Sequence, residues 1–299
     1  MNNKILVIGS SNTDMTIKGD RLPVPGETIT GGTFYMGPGG KGANQAVAAK
    51  RLGGDVEFIC KVGRDIFGDS ALVGYEKEGI DISHAMRSDK ASGTALILVD
   101  ENGENCISVA SGANGDITPE DIDSVADVIR GAGFLILQLE IPVESVLRAA
   151  KIAHEAGVYV ILNPAPACEL PKELFSYVSL MTPNRTEAQI LSGCPVTDEA
   201  SLDKAVEVLR GYGVKDFVVT LGSKGSLVFQ GGKSEMIPSL KVKAVDATAA
   251  GDTFCGALCV ALSEGLSLQD AARFATKASA ITVTRQGAQN SIPARNEIL

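Results

Sequence analysis

One stretch of the 299-residue chain stands out for its chemistry: Asp246-Ala247-Thr248-Ala249-Ala250-Gly251-Asp252. It follows an apolar run, Leu240–Val245, that reads as a strand, and it enters a helix over Ala250–Glu264. Small residues at a helix start leave backbone N–H groups uncovered. Those groups and the helix dipole together make an anion site. Asp252 falls in the first turn, where a carboxylate also complements the dipole of many ordinary helices. A carboxylate beside an anion hole suits phosphoryl transfer. The N–H groups hold the moving phosphoryl group, and the carboxylate accepts the proton of the attacking hydroxyl.

A second cluster is Gly37-Pro38-Gly39-Gly40-Lys41-Gly42-Ala43-Asn44. It matches G-x-G-x-x-G, but the dinucleotide fingerprint should follow the first buried strand directly. Here it follows Thr28–Met36, well beyond the first strand. It is not a Walker A loop either, because Gly42 follows Lys41 where Ser or Thr is needed. It reads as a tight turn into a helix, or as a backbone that approaches a polar ligand with Lys41 and Asn44 as donors. Thr220-Leu221-Gly222-Ser223-Lys224-Gly225 closes a strand, and Gly-rich strand ends of α/β sheets are where nucleotides lie. Asn184 and Glu187 stand at i, i+3 and could hold a hydrated magnesium ion. Cys255 and Cys259 share a helix face. The chain has only two histidines, His84 and His154, and no ligand set for zinc assembles. The six cysteines read as reduced thiols.

These residues need a scaffold. Lys4–Gly9 reads as a buried strand. Gly42–Leu52 is Ala-rich at helical spacing and stops at Gly53-Gly54. Val56–Val62 reads as a strand, then Phe67–Glu78 and Glu120–Arg130 as helices. Phe134–Leu139 and Val158–Leu162 read as strands around a helix at Val143–Ala156. Strands near Ser179–Met181 and Phe217–Thr220 flank helices at Glu187–Leu191 and Leu202–Tyr212, and Leu268–Arg285 is the last helix. This alternation argues for an α/β fold, a parallel sheet with helices on both faces. Two regions break the rhythm. Thr28–Met36 alternates like a strand, and Thr94–Ala110 holds two β-rich runs around Asn102-Gly103, a strong hairpin signal. They predict a small second sheet inserted as two excursions. No linker or repeat appears, so residues 1–299 read as one domain.

Asp and Glu number 36 against 27 Lys and Arg, a net charge of -9. That balance argues against nucleic acid or an anionic membrane as partner. The apolar run Ile5–Ile8 is too short for a signal peptide, and no stretch nears the ~18 apolar residues of a membrane span. A cytoplasmic protein is expected.

Taken in this order, the residues resemble the ribokinase (PfkB-type) family of carbohydrate kinases. The likeness runs from Gly9-Ser10-Ser11-Asn12-Thr13-Asp14 to Arg285-Gln286-Gly287-Ala288-Gln289-Asn290-Ser291. Gly39–Ala46 resembles the first family signature, and Ala249–Asp252 the core of the second. Asn163–Ala167 and Thr182–Glu187 add to it. The resemblance implies a ribokinase-like sheet with a β-sheet lid, inserted at about 13–37 and 91–111. It implies ATP-dependent phosphorylation of a sugar hydroxyl, with O5 of D-ribose first in line. A kinase for fructose, deoxyribose or a nucleoside, and a non-catalytic sugar-binding protein, stand as alternatives. Asp252 would be the general base, and the N–H groups of Ala249, Ala250 and Gly251 the anion hole. Asn12, Asp14, Gly40, Lys41, Gly42, Ala43, Asn44 and Glu140 match sugar-contacting positions. Asn184, Glu187, the Thr220–Gly225 loop, Gly251 and Thr276 match positions that handle ATP, its phosphates and magnesium. Asp246, Thr248, Thr282, Arg285, Gly287 and Ser291 match a potassium site, mostly through carbonyls. The lid implies a homodimer contact. Ala247, Ala249, Arg185 and Thr276 depart from the residues many members carry there.

Overall fold

The computed structural model describes residues 2–298. The first half runs β1 (Lys4–Ile8), β2 (Asn12–Lys18), β3 (Thr33–Gly39), α1 (Lys41–Arg51), β4 (Asp55–Ile59), β5 (Lys61–Gly63) and α2 (Ile66–Lys77). Next come β6 (Met86–Ser88), β7 (Gly93–Val99), β8 (Asn105–Ala110), α3 (Pro119–Ser124), α4 (Ala126–Arg130), β9 (Phe134–Leu137) and α5 (Val143–Glu155). The second half runs β10 (Tyr159–Leu162), α6 (Lys172–Tyr177), β11 (Leu180–Met181), α7 (Arg185–Ser192), α8 (Glu199–Gly211) and β12 (Asp216–Thr220). It ends with β13 (Gly225–Gln230), β14 (Lys233–Pro238), α9 (Ala250–Ser263) and α10 (Leu268–Thr282).

Eight strands form the main sheet in the order β14-β13-β12-β11-β10-β9-β1-β4. It is parallel from β4 to β12, and β13 and β14 join antiparallel at one edge. Side chains alternate across a strand. Leu6, Ile8, Leu135 and Leu137 therefore enter the core under α5 and α8, while Ile5, Val7 and Ile136 enter the core under α1, α9 and α10. Strands buried on both faces read as continuous apolar runs, as β1 and β9 do.

A second sheet, in the order β3-β2-β7-β8, comes from the two excursions that break the rhythm. Its long strands pair over seven residues for β2 with β3 and for β2 with β7. The hairpin of β7 and β8 turns at Gly103, whose φ is 85°.

Several expectations need correction. Leu240–Val245 is not a strand. It lies past Pro238, the end of the edge strand β14, and Leu240, Val242 and Val245 are exposed with no ladder partner. Val56–Val62 divides at Cys60, where β4 stops and β5 leaves to pair with β6. Glu120–Arg130 divides at Val125, whose φ of -112° leaves the helical region. Thr28–Met36 is a strand only from Thr33, and that strand runs on through Gly39. The helix begun at Leu268 stops at Thr282, short of Arg285. The β13–β14 hairpin was not expected, although Gly231-Gly232 between two β-rich runs marks it.

Two close approaches position the site. A Cβ on Gly256 would meet Ala48 Cβ and Gln45 O at 2.8 Å, so only glycine lets α9 lie this near α1. A Cβ on Gly42 would meet the backbone of Gly9 and Ser10 at 2.6 Å, so the start of α1 seats directly on the end of β1.

Candidate active site

Helix α1 begins at Gly40, which has no side chain to cap it. The Glu140 carboxylate, beyond β9, takes that place. Its Oε2 accepts the Lys41 N–H at 2.9 Å and the Ser10 hydroxyl at 2.6 Å. A remote carboxylate at a helix N-terminus satisfies an orphan donor and meets the positive end of the dipole. Gly42 and Ala43 spend their N–H groups on Ser10 Oγ (3.2 Å) and Ser10 O (2.9 Å). They are packing positions here, and neither lines the cleft.

Helix α9 begins at Ala249, which holds a left-handed backbone (φ 58°, ψ 9°). The first ladder bond is Thr253 N–H to Ala249 O at 2.8 Å, so the N–H groups before it stand ahead of the helical ladder. Ala250 N–H turns back to Ala247 O at 3.2 Å, and Ala250 O accepts the Ser279 hydroxyl. Ala249, Gly251 and Asp252 line the cleft, and Ala250 does not. Asp252 is only 6% exposed. Asn44 Nδ2 donates to its Oδ2 at 2.9 Å, and Gln45 Nε2 donates to its Oδ1 at 3.0 Å. Burial raises the Asp252 pKa, and the Lys41 charge and the two amides pull it back.

The cleft between the two sheets measures about 820 Å³ and is lined by Asn12, Asp14, Gly40, Lys41, Asn44 and Glu140, among others. Even-numbered β2 residues, Asn12 to Lys18, face it, and Met15 and Ile17 face away. Burial first, then the charges of Glu140 and Asp252, push Asp14 up to about 6 from its usual 3.8. Burial would lower Lys41, but Asp252, Glu140, Glu187 and Asp14 together hold it above its ordinary value. A neutral ligand bristling with hydroxyl donors suits such acceptors.

Asn184 and Glu187 meet across the first turn of α7 as a capping box. Asn184 Oδ1 accepts the Glu187 N–H at 2.9 Å, and the Glu187 carboxylate accepts Asn184 N–H and Nδ2 at 2.8 Å each. Both oxygens thus hold donors already, yet each keeps a lone pair for a metal-bound water, so the pair fits a hydrated magnesium ion. Burial raises the Glu187 pKa. Both residues line the cleft beside Thr220, which bridges to Asn184. Gly222, Ser223 and Lys224 form an exposed turn after Leu221, whose N–H donates to Gly225 O at 2.8 Å. None of residues 221–225 lines the cleft. Thr276 does not reach it either. It is buried in α10, and its hydroxyl donates to Ala272 O at 2.8 Å.

Asp246 ties two loops together. Its Oδ1 accepts the Thr248 N–H (2.9 Å) and hydroxyl (2.6 Å), and its Oδ2 accepts the Gly287 N–H (2.9 Å). These three line the cleft. The other three sequence-predicted cation positions point their side chains elsewhere. Thr282 bonds Thr253 at 3.1 Å, Arg285 pairs with Glu297, and Ser291 bonds Ala288 O at 2.6 Å. Only their backbone carbonyls could serve a cation, and carbonyl oxygens suit a hard one.

Sequence reasoning left four buried polar residues without a role. Gln45, Gln138 and Asn163 form an amide network behind Asp252. Asn114 brackets Asn12. Its Nδ2 donates to Asn12 Oδ1 at 2.7 Å, and its Oδ1 accepts the Ser11 N–H at 2.9 Å. The Asn12 carbonyl is therefore engaged, and its amino group is left to face the cleft. Gln45 was legible as the residue after Asn44 and Asn163 as the first residue of the Asn163–Ala167 motif; nothing local marks Gln138 or Asn114.

The pfkB family carbohydrate kinase model matches residues 2–295. A ribokinase of Haemophilus influenzae is 45% identical over 300 residues, covering 100% of this chain and 98% of that protein. A ribokinase structure from Thermotoga maritima superposes with a TM-score of 0.91 at 41% identity, covering 100% and 98% of the two chains. An Arabidopsis thaliana ribokinase complexed with ribose and ATP superposes with a TM-score of 0.93 at 35% identity, again covering 100% and 98%. With a matching model over nearly its full length, the chain belongs to the pfkB family of carbohydrate kinases.

Proposed function

We propose that this kinase transfers the γ-phosphoryl group of ATP to O5 of D-ribose, giving D-ribose 5-phosphate and ADP, with Asp252 as general base. One observation carries the reading. A buried aspartate and the first-turn N–H groups of α9 share a cleft wall with the hydroxyl acceptors Asp14 and Glu140. The relatives named ribokinase, one of them with ribose and ATP bound, support the choice of sugar.

Ribose hydroxyls pair with Asp14 and the free oxygen of Glu140, and they accept from Asn12, Lys41 and Asn44. Asp252 takes the O5 proton as O5 bonds to the γ-phosphorus and the bond to the ADP oxygen breaks. The N–H groups of Ala249 and Gly251 hold the charge spread over the transferred group. Ala250 contributes less, because its N–H is committed to Ala247. ATP extends past Asn184 and Thr220 toward the Gly222–Lys224 turn and Thr276. Asn184 and Glu187 would hold a magnesium ion through its waters, and the ion would neutralise charge on the phosphates. A potassium ion would be held by carbonyls of the Asp246 and Thr282–Ser291 loops, where it would supply positive charge beside the anion hole.

Residues 1–299 act as one kinase domain, with the second sheet as a lid over the sugar. The outer face of that sheet exposes Ile17, Phe34 and Leu96 at 45–59%, which supports a homodimer through the lid. An ATP-dependent sugar kinase belongs in the cytoplasm. Among the described residues no helix is long and apolar enough to cross a membrane.

Asp252→Asn tests the base. Turnover should fall by about 10²–10⁴-fold while ribose still binds. Near-normal turnover removes the assignment. Turnover over a panel of ribose, deoxyribose, fructose and nucleosides tests the sugar, and a preference for a hexose removes ribose.

A further inference from the structure

We propose that Gln45, locked in turn by Gln138, is the positioning residue that orients the Asp252 carboxylate and keeps it ionised. The inference rests on Asp252 being the base. Gln45, Gln138 and Asp252 come from three elements, α1, the end of β9 and α9. Gln45 and Gln138 are fully buried.

The chemistry of the groups dictates the direction of every amide. An ionised carboxylate only accepts. Gln45 must therefore turn Nε2 toward Asp252, and it does, at 3.0 Å from Oδ1. The second hydrogen on Nε2 goes to Asn163 Oδ1 at 3.0 Å, and Asn163 passes its own Nδ2 to Thr182 O. With Nε2 spent, Gln45 Oε1 needs a donor. Gln138 Nε2 supplies it at 2.7 Å. The network ends there. Gln138 Oε1 has no partner and lies against Gly9, where a Cβ would fall only 1.9 Å from it.

That orphaned oxygen is informative. Leaving a buried acceptor unpaired is costly. Turning the Gln138 amide over would face Oε1 to Gln45 Oε1, two acceptors together. Turning Gln45 as well would face an acceptor to the Asp252 carboxylate. The chain of amides has one orientation compatible with an ionised base; it leaves Gln138 Oε1 unpartnered at its far end, while on the other side of the carboxylate Asn44 Oδ1 is likewise without a partner. Asn44 holds the other oxygen, Oδ2, at 2.9 Å. Asn44 itself lines the cleft, whereas Gln45 and Gln138 do not. Gln45 therefore reaches the cleft only through the side chains it holds, Asp252 and Asn163.

The charged and titratable groups around Asp252 are Lys41 on α1, Glu140 after β9, Asp14 on β2, Glu187 on α7 and Cys255 on α9. A neutral substitution at Gln45 leaves all of them in place. Removing the amide donor disfavours the ionised form, so the acid limb of the rate profile moves to higher pH.

The experiment measures kcat against pH at saturating ribose and ATP for the full chain, with thermal melts alongside. Gln45→Met should move the acid limb up by about one pH unit, so that kcat on that limb falls by up to about tenfold, with KM for ribose nearly unchanged. Gln138→Met, which frees the Gln45 amide to turn, should shift the limb in the same direction by less. A merely structural role would lower the melting temperature and the active fraction without moving the limb. If Asp252→Asn abolishes turnover and both methionine variants keep the wild-type limb, the positioning role is overturned. If Asp252→Asn stays active, the base reading itself fails. Should neither methionine variant fold, the side-chain amide resonances of Gln45 in the wild-type protein decide. They should shift with pH at the midpoint of the kcat limb, and resonances that ignore that midpoint overturn the proposal.

Discussion

Replacing Asp14 with asparagine should make the protein more stable and remove its grip on the sugar. The Asp14 carboxylate accepts no hydrogen bond among the described residues and faces Glu140 and Asp252 across the cleft. Burial and those two charges lift its pKa from 3.8 to about 6. A raised carboxylate pKa means that ionisation is penalised in the folded state. The penalty is absent below the unfolded value near 3.8, grows as pH rises to about 6, and is constant above it. Two pKa units correspond to about 3 kcal/mol above pH 7, and the same relation leaves about half of that at pH 5. Asp14→Asn relieves it without breaking a bond. For a chain of this length, about 3 kcal/mol is about 5 °C in melting temperature.

Thermal melts at pH 8 and pH 5 check the size and the sign. The gain should be about twice as large at pH 8. Calorimetric titration with ribose should show binding lost in the variant, and ribose should no longer raise its melting temperature. A gain equal at both pH values, or a loss of stability at pH 8, would refute the argument that Asp14 is held in a strained charge state. In the wild-type protein the same titration raises KM for ribose as pH falls through about 6, because a protonated carboxyl accepts fewer hydroxyl hydrogens.

Three further outcomes are expected. Turnover in potassium should exceed that in buffer free of potassium and sodium, and Asp246→Ala should erase the difference by untying the Thr248 and Gly287 loops; equal turnover in both buffers counts against the cation site. Leu96→Asp puts a charge at the centre of the apolar outer face of the lid, so sedimentation should show a dimer for the parent and a monomer for the variant; an unchanged sedimentation coefficient removes that interface. Ala249→Gly relieves a left-handed alanine worth about 1–2 kcal/mol against about 0.5–1 kcal/mol of added chain entropy, for a net gain of up to about 1.5 kcal/mol by denaturant melts; a loss of that size would contradict the strain at φ 58°.

The alternation of helix and strand was legible because buried parallel strands are apolar throughout and the helices between them are not. β1, β9 and β10 needed nothing else. The Asn102-Gly103 turn likewise carries its own signal. What was not legible is long range. Leu240–Val245 has a strand's composition, yet it lacks a neighbour, and only the ladder makes a strand. Glu140 reads locally as a free acceptor. Its task at the start of α1 depends on a contact made 99 residues away in sequence. Gln138, after a strand, and Asn114, in a short turn, look like ordinary polar residues until the fold brings their partners to them. The Asn184–Glu187 pair was found by spacing, and the same spacing makes it a capping box, so one pattern serves the helix and faces the cleft at once.

The cleft holds Asp14, Glu140, Glu187, Asp246 and Asp252 against two lysines, Lys18 and Lys41. That imbalance adds to burial in raising Asp14, and it outweighs burial in raising Lys41. It also sets which ligand the protein's own charges can favour. A neutral ligand of many hydroxyls meets acceptors on both sides of the cleft and lowers their repulsion by hydrogen bonding. A polyanion meets the opposite field, and net charge of the chain offers it nothing. What this chain offers an anion is local: the uncovered N–H groups of α9, Lys41, and oxygen-lined loops that suit cations. The hydroxyl-binding half of the site adds to the acidic balance of the chain, and the anion-binding half is built from backbone, where composition cannot register it.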